Sequence, residues 1–403
     1  MRKIETLSQF YDLMFETREI RQRLVGRCLM GSRATRKDVG LLSEALQLLR
    51  NIPRIDDRYS LRLGDGHQIE MDLSYETDEL VKDIHFFTRS EGAFYAYLKE
   101  LHPEFEEELE HNCNIMGKIQ HRNFITDRDG TVNNYCGRYR SAIQSAYNAM
   151  FLSRFAMNAV EHAVILTSAP LVAEGIVDIS VAPAELFIYA GSKGRELMSR
   201  DGRICRYPIE KNKQLQLDRL NRRLSELVNC SEYGHFSLIG SGLQFKFGQT
   251  TIARQDIHGS IPEQESEAFL EIVQRVVAET DPEGVTFRIE DTGKDIEIIL
   301  TVRRGESDTS LKDFDKGDGV MFINDTLGLH LENGPNLICG DTGSDIPMVG
   351  ASLQRTDETW AIFVTRDESL KKEVRNICPN SLFFSEPDML VAFLNEYGKV
   401  RAL

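Results

Sequence analysis

The sequence predicts an α/β protein: a parallel-sheet core, an α+β unit inserted into it, and a helical domain in front. Three observations carry this reading. Apolar runs of buried-strand length recur at 123–126, 163–166, 336–339, 361–364 and 382–384, with helical patterns between them, and strands alternating with helices form parallel sheets. From 212 to 305 the order changes to two helices interleaved with strands. Ahead of residue 118 the apolar periodicity is helical. The domains drawn this way are 1–118, a core from 119–211 and 306–403, and an insertion at 212–305.

In the first domain Leu41, Leu42, Ala45, Leu48 and Leu49 recur at helical spacing and stop before Pro53. A second stripe runs from Leu80 through Ile84, Phe87, Phe94, Tyr97 and Leu101 to Pro103. The cluster Glu104, Glu106, Glu107, Glu108 and Glu110 follows and reads as a solvated helix face. Nothing here has the pattern of a catalytic motif. The segment reads as a small antiparallel helical unit for self-association or a protein partner. In the insertion a helix at 215–227 leads to strands near 236–239, 243–247 and 250–253. A helix with Phe269, Ile272, Val273, Val276 and Val277 on one face comes next, then strands at 284–289 and 295–302.

Composition narrows the function classes. Of 403 residues, 48 are Lys or Arg and 63 are Asp or Glu, a net charge of −15. Such a surface repels phosphate backbones, so general nucleic-acid binding is excluded, while one small anionic ligand in a locally positive pocket is not. No apolar run approaches the ~20 residues that cross a bilayer, and Met1-Arg2-Lys3 leads directly into mixed polar sequence, unlike a secretory leader. The seven cysteines are scattered and form no C-x-x-C. A reducing cytoplasm is therefore expected, with neither a disulfide framework nor a thiolate zinc site.

Four stretches carry chemistry. Asp127-x-Asp129-Gly130-Thr131 follows an apolar run. Two carboxylates at i and i+2 beyond a strand end can converge on one cation, and a glycine lets the chain turn sharply. One carboxylate can attack phosphorus; the other can exchange protons with the leaving oxygen. Gly340-Asp341-Thr342-Gly343-Ser344-Asp345 supplies two more carboxylates after 336–339; oxygen ligands suit Mg²⁺, with Asp341 as ligand and Asp345 beside it. Thr167 or Ser168 ends the run 163–166 and can bond a phosphate oxygen. Lys316 in Asp315-Lys316-Gly317-Asp318-Gly319 can neutralise phosphate charge. Each stretch alone is also what a capped turn presents. Together they point to a phosphoryl-transfer site.

In that order the motifs resemble the haloacid-dehalogenase (HAD) phosphatase superfamily, and more narrowly its trehalose-6-phosphate phosphatase family in the nematode form. The likeness rests on Ile125 to Thr131, Gly191-Ser192-Lys193-Gly194-Arg195-Glu196, Leu238 to Lys246, and Ile338 to Val349, within roughly 122–385; the N-terminal segment shares helical character only. The resemblance implies a HAD-type, Rossmann-like core with a C2-type α+β cap. It implies a Mg²⁺-dependent hydrolase that converts trehalose 6-phosphate to trehalose and phosphate through an aspartyl-phosphate. Asp127 would be the nucleophile and Asp129 the general acid and base. Asp127, the Asp129 backbone carbonyl and Asp341 would hold Mg²⁺, and Thr167 and Lys316 the phosphoryl group. In the cap, Gly240, Ser241, Gly242, Gln244 and Lys246 would read sugar hydroxyls, joined by Glu297.

Three departures bear on the substrate. The last motif is Gly-Asp-Thr-Gly-Ser-Asp where many bacterial and plant members have Gly-Asp-Asp-x-x-Thr-Asp. The cap has Gln244-Phe245-Lys246 where they often have Glu-x-Lys, and their histidine-containing cap motif is not evident, His258 being the nearest candidate for it. The alternatives are the same chemistry on another sugar phosphate, of sucrose or a glycosylglycerate, or a non-catalytic scaffold. His121, His162, Cys339 and Trp360 read as packing residues, and Arg138 and Arg140 as surface ion-pairing residues.

Overall fold

The protein is described here from a computed structural model, which covers residues 3–55, 58–62, 68–117, 119–256, 259, 261–303 and 311–399. Its centre is an eight-stranded sheet. The strand order is Ser381–Phe384, Thr359–Val364, Asn336–Gly340, Asn123–Thr126, His162–Leu166, Ile188–Gly191, Glu196–Met198 and Ile204–Arg206. The first six are parallel and the last two antiparallel. The central strands are buried along their whole length, which is why they read as continuous apolar runs and not as alternation. Phe124 meets Phe155 of the helix Ala146–Asn158 edge to face at 4.9 Å. On the opposite face Ile125, Ile338 and Phe363 pack with Val320 and Met348 of the helices Lys316–Leu327 and Ile346–Leu353.

The insertion folds as a four-stranded antiparallel sheet in the order Phe287–Asp291, Asp295–Leu300, Gln249–Ala253 and Leu243–Lys246. The helices Lys211–Val228 and Glu263–Thr280 cover it. The expected strand near 236–239 is instead a 3-10 turn, Gly234–Ser237. Its Phe236 is fully buried and stacks on Phe269 with centroids 3.8 Å apart. A ring that plugs the helix–sheet layer needs a turn, and it looks like a strand residue in sequence. The expected return from cap to core at 305/306 lies outside the described residues, as does His258.

The first domain holds the five helices Leu7–Leu29, Arg36–Arg50, Ser74–Thr88, Glu91–Leu101 and Phe105–Met116. It also holds a small antiparallel sheet, Arg54–Ile55, Arg58–Arg62 and Gln68–Met71, that helical periodicity did not anticipate. Pro53 ends the preceding helix, and Tyr59, Ser60 and Leu61 of the middle strand are all buried. The long stripe from Leu80 to Leu101 is broken at Arg89–Ser90, where the Ser90 hydroxyl accepts the Ala93 N–H and restarts the helix. No helix among the described residues is long and apolar enough to cross a membrane.

Candidate active site

Three adjacent strands deliver the chemistry to one edge of the sheet. Asn123–Thr126 ends at Asp127, Asn336–Gly340 at Asp341, and His162–Leu166 at Thr167. The Asp127 N–H donates to Cys339 O at 3.0 Å, which fixes the first two ends in register. Asp127, Asp341 and Asp345 each offer a carboxylate oxygen, all within 4.8 Å of one another. Gly130, at φ +86°, allows this approach: a Cβ there would stand 2.3 Å from Asp341 Oδ2. Thr131 Oγ1 donates to Asp341 Oδ1 at 3.0 Å.

Lys316 enters from the N-terminus of Lys316–Leu327, where Asp315 and Asp318 cap each other's amides. Its Nζ lies 2.6 Å from Asp127 Oδ1 and 2.5 Å from Asp345 Oδ1. Asp345 Oδ2 is taken up by the N–H groups of Asp341 and Thr342 and by the Thr342 hydroxyl. Asp345 is thus a brace bonded on both oxygens. Among the described residues, no hydrogen bond reaches Asp127 Oδ2 or Asp341 Oδ2.

Burial pushes the Asp127 carboxyl up to about 7, with Lys316 opposing and Asp345 adding to the shift. Burial and the Asp127 charge push Asp341 up to about 8. Burial disfavours the Lys316 ammonium, but Asp127 and Asp345 outweigh it and hold its pKa above the usual range. Two buried carboxylates and a half-buried third against one ammonium are short of positive charge, and hard oxygen donors at this spacing fit a divalent cation.

Asp129 stands apart from the trio. Its carboxylate is partly exposed and pairs with the buried Arg128, which also bonds Ala142 O. Thr167 is buried, and its hydroxyl accepts the Ala169 N–H at 3.2 Å.

The cap residues divide into two groups. Gly240, Ser241, Gly242 and Gln244 line a cavity of about 310 Å³, with Tyr11 of the first helix and Arg140 and Glu174 of the core on the other side. Lys246 is buried outside that lining, near Glu297, and burial lowers its pKa against the pull of Glu297 and Asp295. Glu297 reaches back to the core, 3.9 Å from Lys193 Nζ. Arg138, expected at the surface, is buried, whereas Arg140 pairs with Glu174 at 2.5 Å and covers the Tyr11 ring.

The residues the sequence reading passed over sit at the cap's root. Ser192 and Lys193 both take left-handed backbone, φ +55° and +60°, an uncommon conformation for residues with a Cβ. The Lys193 N–H donates to Thr167 O at 2.9 Å. Arg195 donates to Gly248 O at 2.7 Å and Leu300 O at 2.8 Å and covers the Phe314 ring. One core guanidinium thereby holds the cap turn at Gly248 and the end of the cap strand Asp295–Leu300. The stretch 191–196 had carried the family likeness without an assigned role.

A carboxylate trio, two of its members bridged by a lysine, at the carboxyl edge of a parallel sheet and beside an inserted α+β cap places the protein in the HAD phosphatase superfamily. Residues 124–390 match the family model described as trehalose-6-phosphate phosphatase, C-terminal, and residues 6–105 match that family's N-terminal helical bundle domain. The chain belongs to the trehalose-6-phosphate phosphatase family. It is 31% identical to the UDP-forming alpha,alpha-trehalose-phosphate synthase 2 of Aphelenchoides avenae, over 96% of this chain and 31% of that one. It is 28% identical to the trehalose-phosphatase of Brugia malayi, over 98% of this chain and 86% of that one. The chain therefore spans about a third of the length of the synthase relative. The C. albicans trehalose-6-phosphate phosphatase C-terminal domain superposes with a TM-score of 0.46 at 13% identity, covering 72% of this chain and 96% of that one.

Proposed function

We propose that the protein is a Mg²⁺-dependent phosphatase that hydrolyses trehalose 6-phosphate to trehalose and phosphate. The observation that carries this reading is Lys316 bridging Asp127 and Asp345 with Asp341 beside them, in a chain of this family. The likeness to the trehalose-phosphatase of Brugia malayi supports the substrate. Asp127 and Asp341 would hold Mg²⁺ through their unbonded oxygens, together with the Asp129 carbonyl, and Asp345 braces Asp341 and Lys316 behind them. The ion would neutralise phosphate charge and keep the carboxylates ionised.

In the first step Asp127 attacks phosphorus in line, the bond to the sugar oxygen breaks, and Asp129 gives that oxygen a proton. In the second, Asp129 takes a proton from water, which attacks the aspartyl-phosphate and frees Asp127. Lys316 and Thr167 stabilise the phosphoryl oxygens in both. Asp129 reaches the leaving oxygen by turning away from Arg128. Closure of the cap brings Gly240, Ser241, Gly242, Gln244, Lys246 and Glu297 onto the sugars and excludes water. We place the enzyme in the cytoplasm, a reading supported by seven unpaired cysteines. We assign the cap to 212–305 between core segments 119–211 and 306–403.

Asp127→Asn keeps the size and removes the nucleophile. It is expected to abolish phosphate release while leaving the circular-dichroism spectrum unchanged. Wild-type turnover in that variant would rule out the assignment.

A further inference from the structure

The helix Ser74–Thr88 turns an ionic face inward. Tyr75, Glu79, Lys82, Asp83 and Phe86 fall at i, i+4, i+7, i+8 and i+11, a single stripe of an α-helix. A free-standing helical domain would leave such charges in water. Here Glu79, Lys82 and Asp83 are buried, where unpaired charge is costly.

Every charge on the stripe is matched, and most partners belong to the catalytic core. Lys82 Nζ lies 2.8 Å from Glu79 and 2.7 Å from Asp388. Asn134, three residues past Thr131, donates to both Glu79 and Asp388, at 2.8 and 2.7 Å. One Asp83 oxygen accepts Arg21 Nε at 2.6 Å; the other accepts the N–H groups of Ala146 and Tyr147 at 2.7 and 3.0 Å. Those amides open the helix Ala146–Asn158, and its own N-cap residue, Ser145, makes no side-chain cap. The cap comes from the other domain.

Tyr75 ties this face to the nucleophile loop. Its hydroxyl donates to Ile143 O at 2.9 Å and accepts Asn133 Nδ2 at 3.0 Å. Asn133 O in turn accepts the Gly130 N–H at 2.8 Å. Gly130 is the position where the loop comes against Asp341. Two hydrogen-bonded links thus separate the helical domain from the loop that carries Asp127 and Asp129.

We propose that Tyr75 is a positioning residue for the nucleophile loop, and that the inward ionic face of Ser74–Thr88 sets this loop's geometry from outside the core. The proposal rests on the phosphatase reading of the site. A satisfied polar network admits one arrangement, whereas an apolar face can slide. Small displacements of a reacting group are costly in rate.

The test is a double-mutant cycle in the full-length protein, with Tyr75→Phe, Asn133→Ala and the pair, on trehalose 6-phosphate with Mg²⁺. The control is Asn112→Leu, which removes a different hydrogen bond between the same domain and the core, to Phe383 O, with no partner in the Tyr75–Asn133 link. Tyr75→Phe is expected to lower kcat roughly ten-fold with KM unchanged and Tm within about 4 °C of wild type. Asn133→Ala is expected to do the same, and the pair no worse than either alone, because both remove one link. Asn112→Leu is expected to lower Tm and leave kcat unchanged. Three results would overturn the proposal: Tyr75→Phe with wild-type kcat, a loss confined to KM, or an equal kcat loss in Asn112→Leu. Wild-type protein that releases no phosphate would overturn the phosphatase reading itself, and the proposal with it.

Discussion

At the residue scale the proposed chemistry and the pH dependence of stability both rest on the carboxylate trio. Asp127 and Asp341 have folded pKa values of about 7 and about 8, above the ordinary carboxylate range. A carboxyl whose pKa rises on folding stabilises the fold below its unfolded pKa, and that contribution is lost as pH rises through the folded value. The metal-free protein is therefore expected to lose Tm between pH 4 and 8. Mg²⁺ needs the ionised carboxylates, so protons compete with it in the same window. The rise in Tm on adding Mg²⁺ is expected to be small at pH 5 and larger at pH 8, measured by differential scanning calorimetry. A gain that shrinks with pH would exclude these carboxylates as the ligands. The motif residues were legible because a carboxylate after an apolar run has few structural duties. The pairing of Asp129 with Arg128 was not legible, since only the folded loop decides which way that side chain turns.

At the element scale, the cap is held to the core by Arg195. A guanidinium bonds two carbonyls at fixed angles, and an ammonium cannot reproduce that fork. Arg195→Lys is expected to loosen the attachment at Gly248 and Leu300. KM for trehalose 6-phosphate is then expected to rise several-fold, while KM for p-nitrophenyl phosphate, which needs little of the cap, stays put. An equal rise for both would place the defect in the core. The strands of the core were legible as apolar runs, and the cap helices by their period. The turn at Gly234–Ser237 was read as a strand because Phe236 is apolar in either form. The ionic face of Ser74–Thr88 was passed over because the same helix also carries Leu80, Ile84 and Phe87 at helical spacing, and charges are by default assigned to solvent.

At the scale of the molecule, the first domain is built into the core and not appended to it. Besides the Ser74–Thr88 face, His102 reaches Asp388 at 2.8 Å, and Arg18 donates to Val177 O and Ser180 O. The sequence suggested a helical unit for self-association or a protein partner, because contacts between distant segments leave no periodic trace. The cap and the core, by contrast, are separable in sequence, since their strand orders differ.

The proposed function joins phosphoryl chemistry to a sugar preference. It is tested most directly by phosphate release with Mg²⁺ from trehalose 6-phosphate, set beside glucose 6-phosphate, sucrose 6-phosphate and p-nitrophenyl phosphate. Strong preference for trehalose 6-phosphate, abolished by EDTA and by Asp127→Asn, is the expected result. Equal release from all four substrates would contradict the assigned specificity, and release that survives Asp127→Asn would contradict the mechanism.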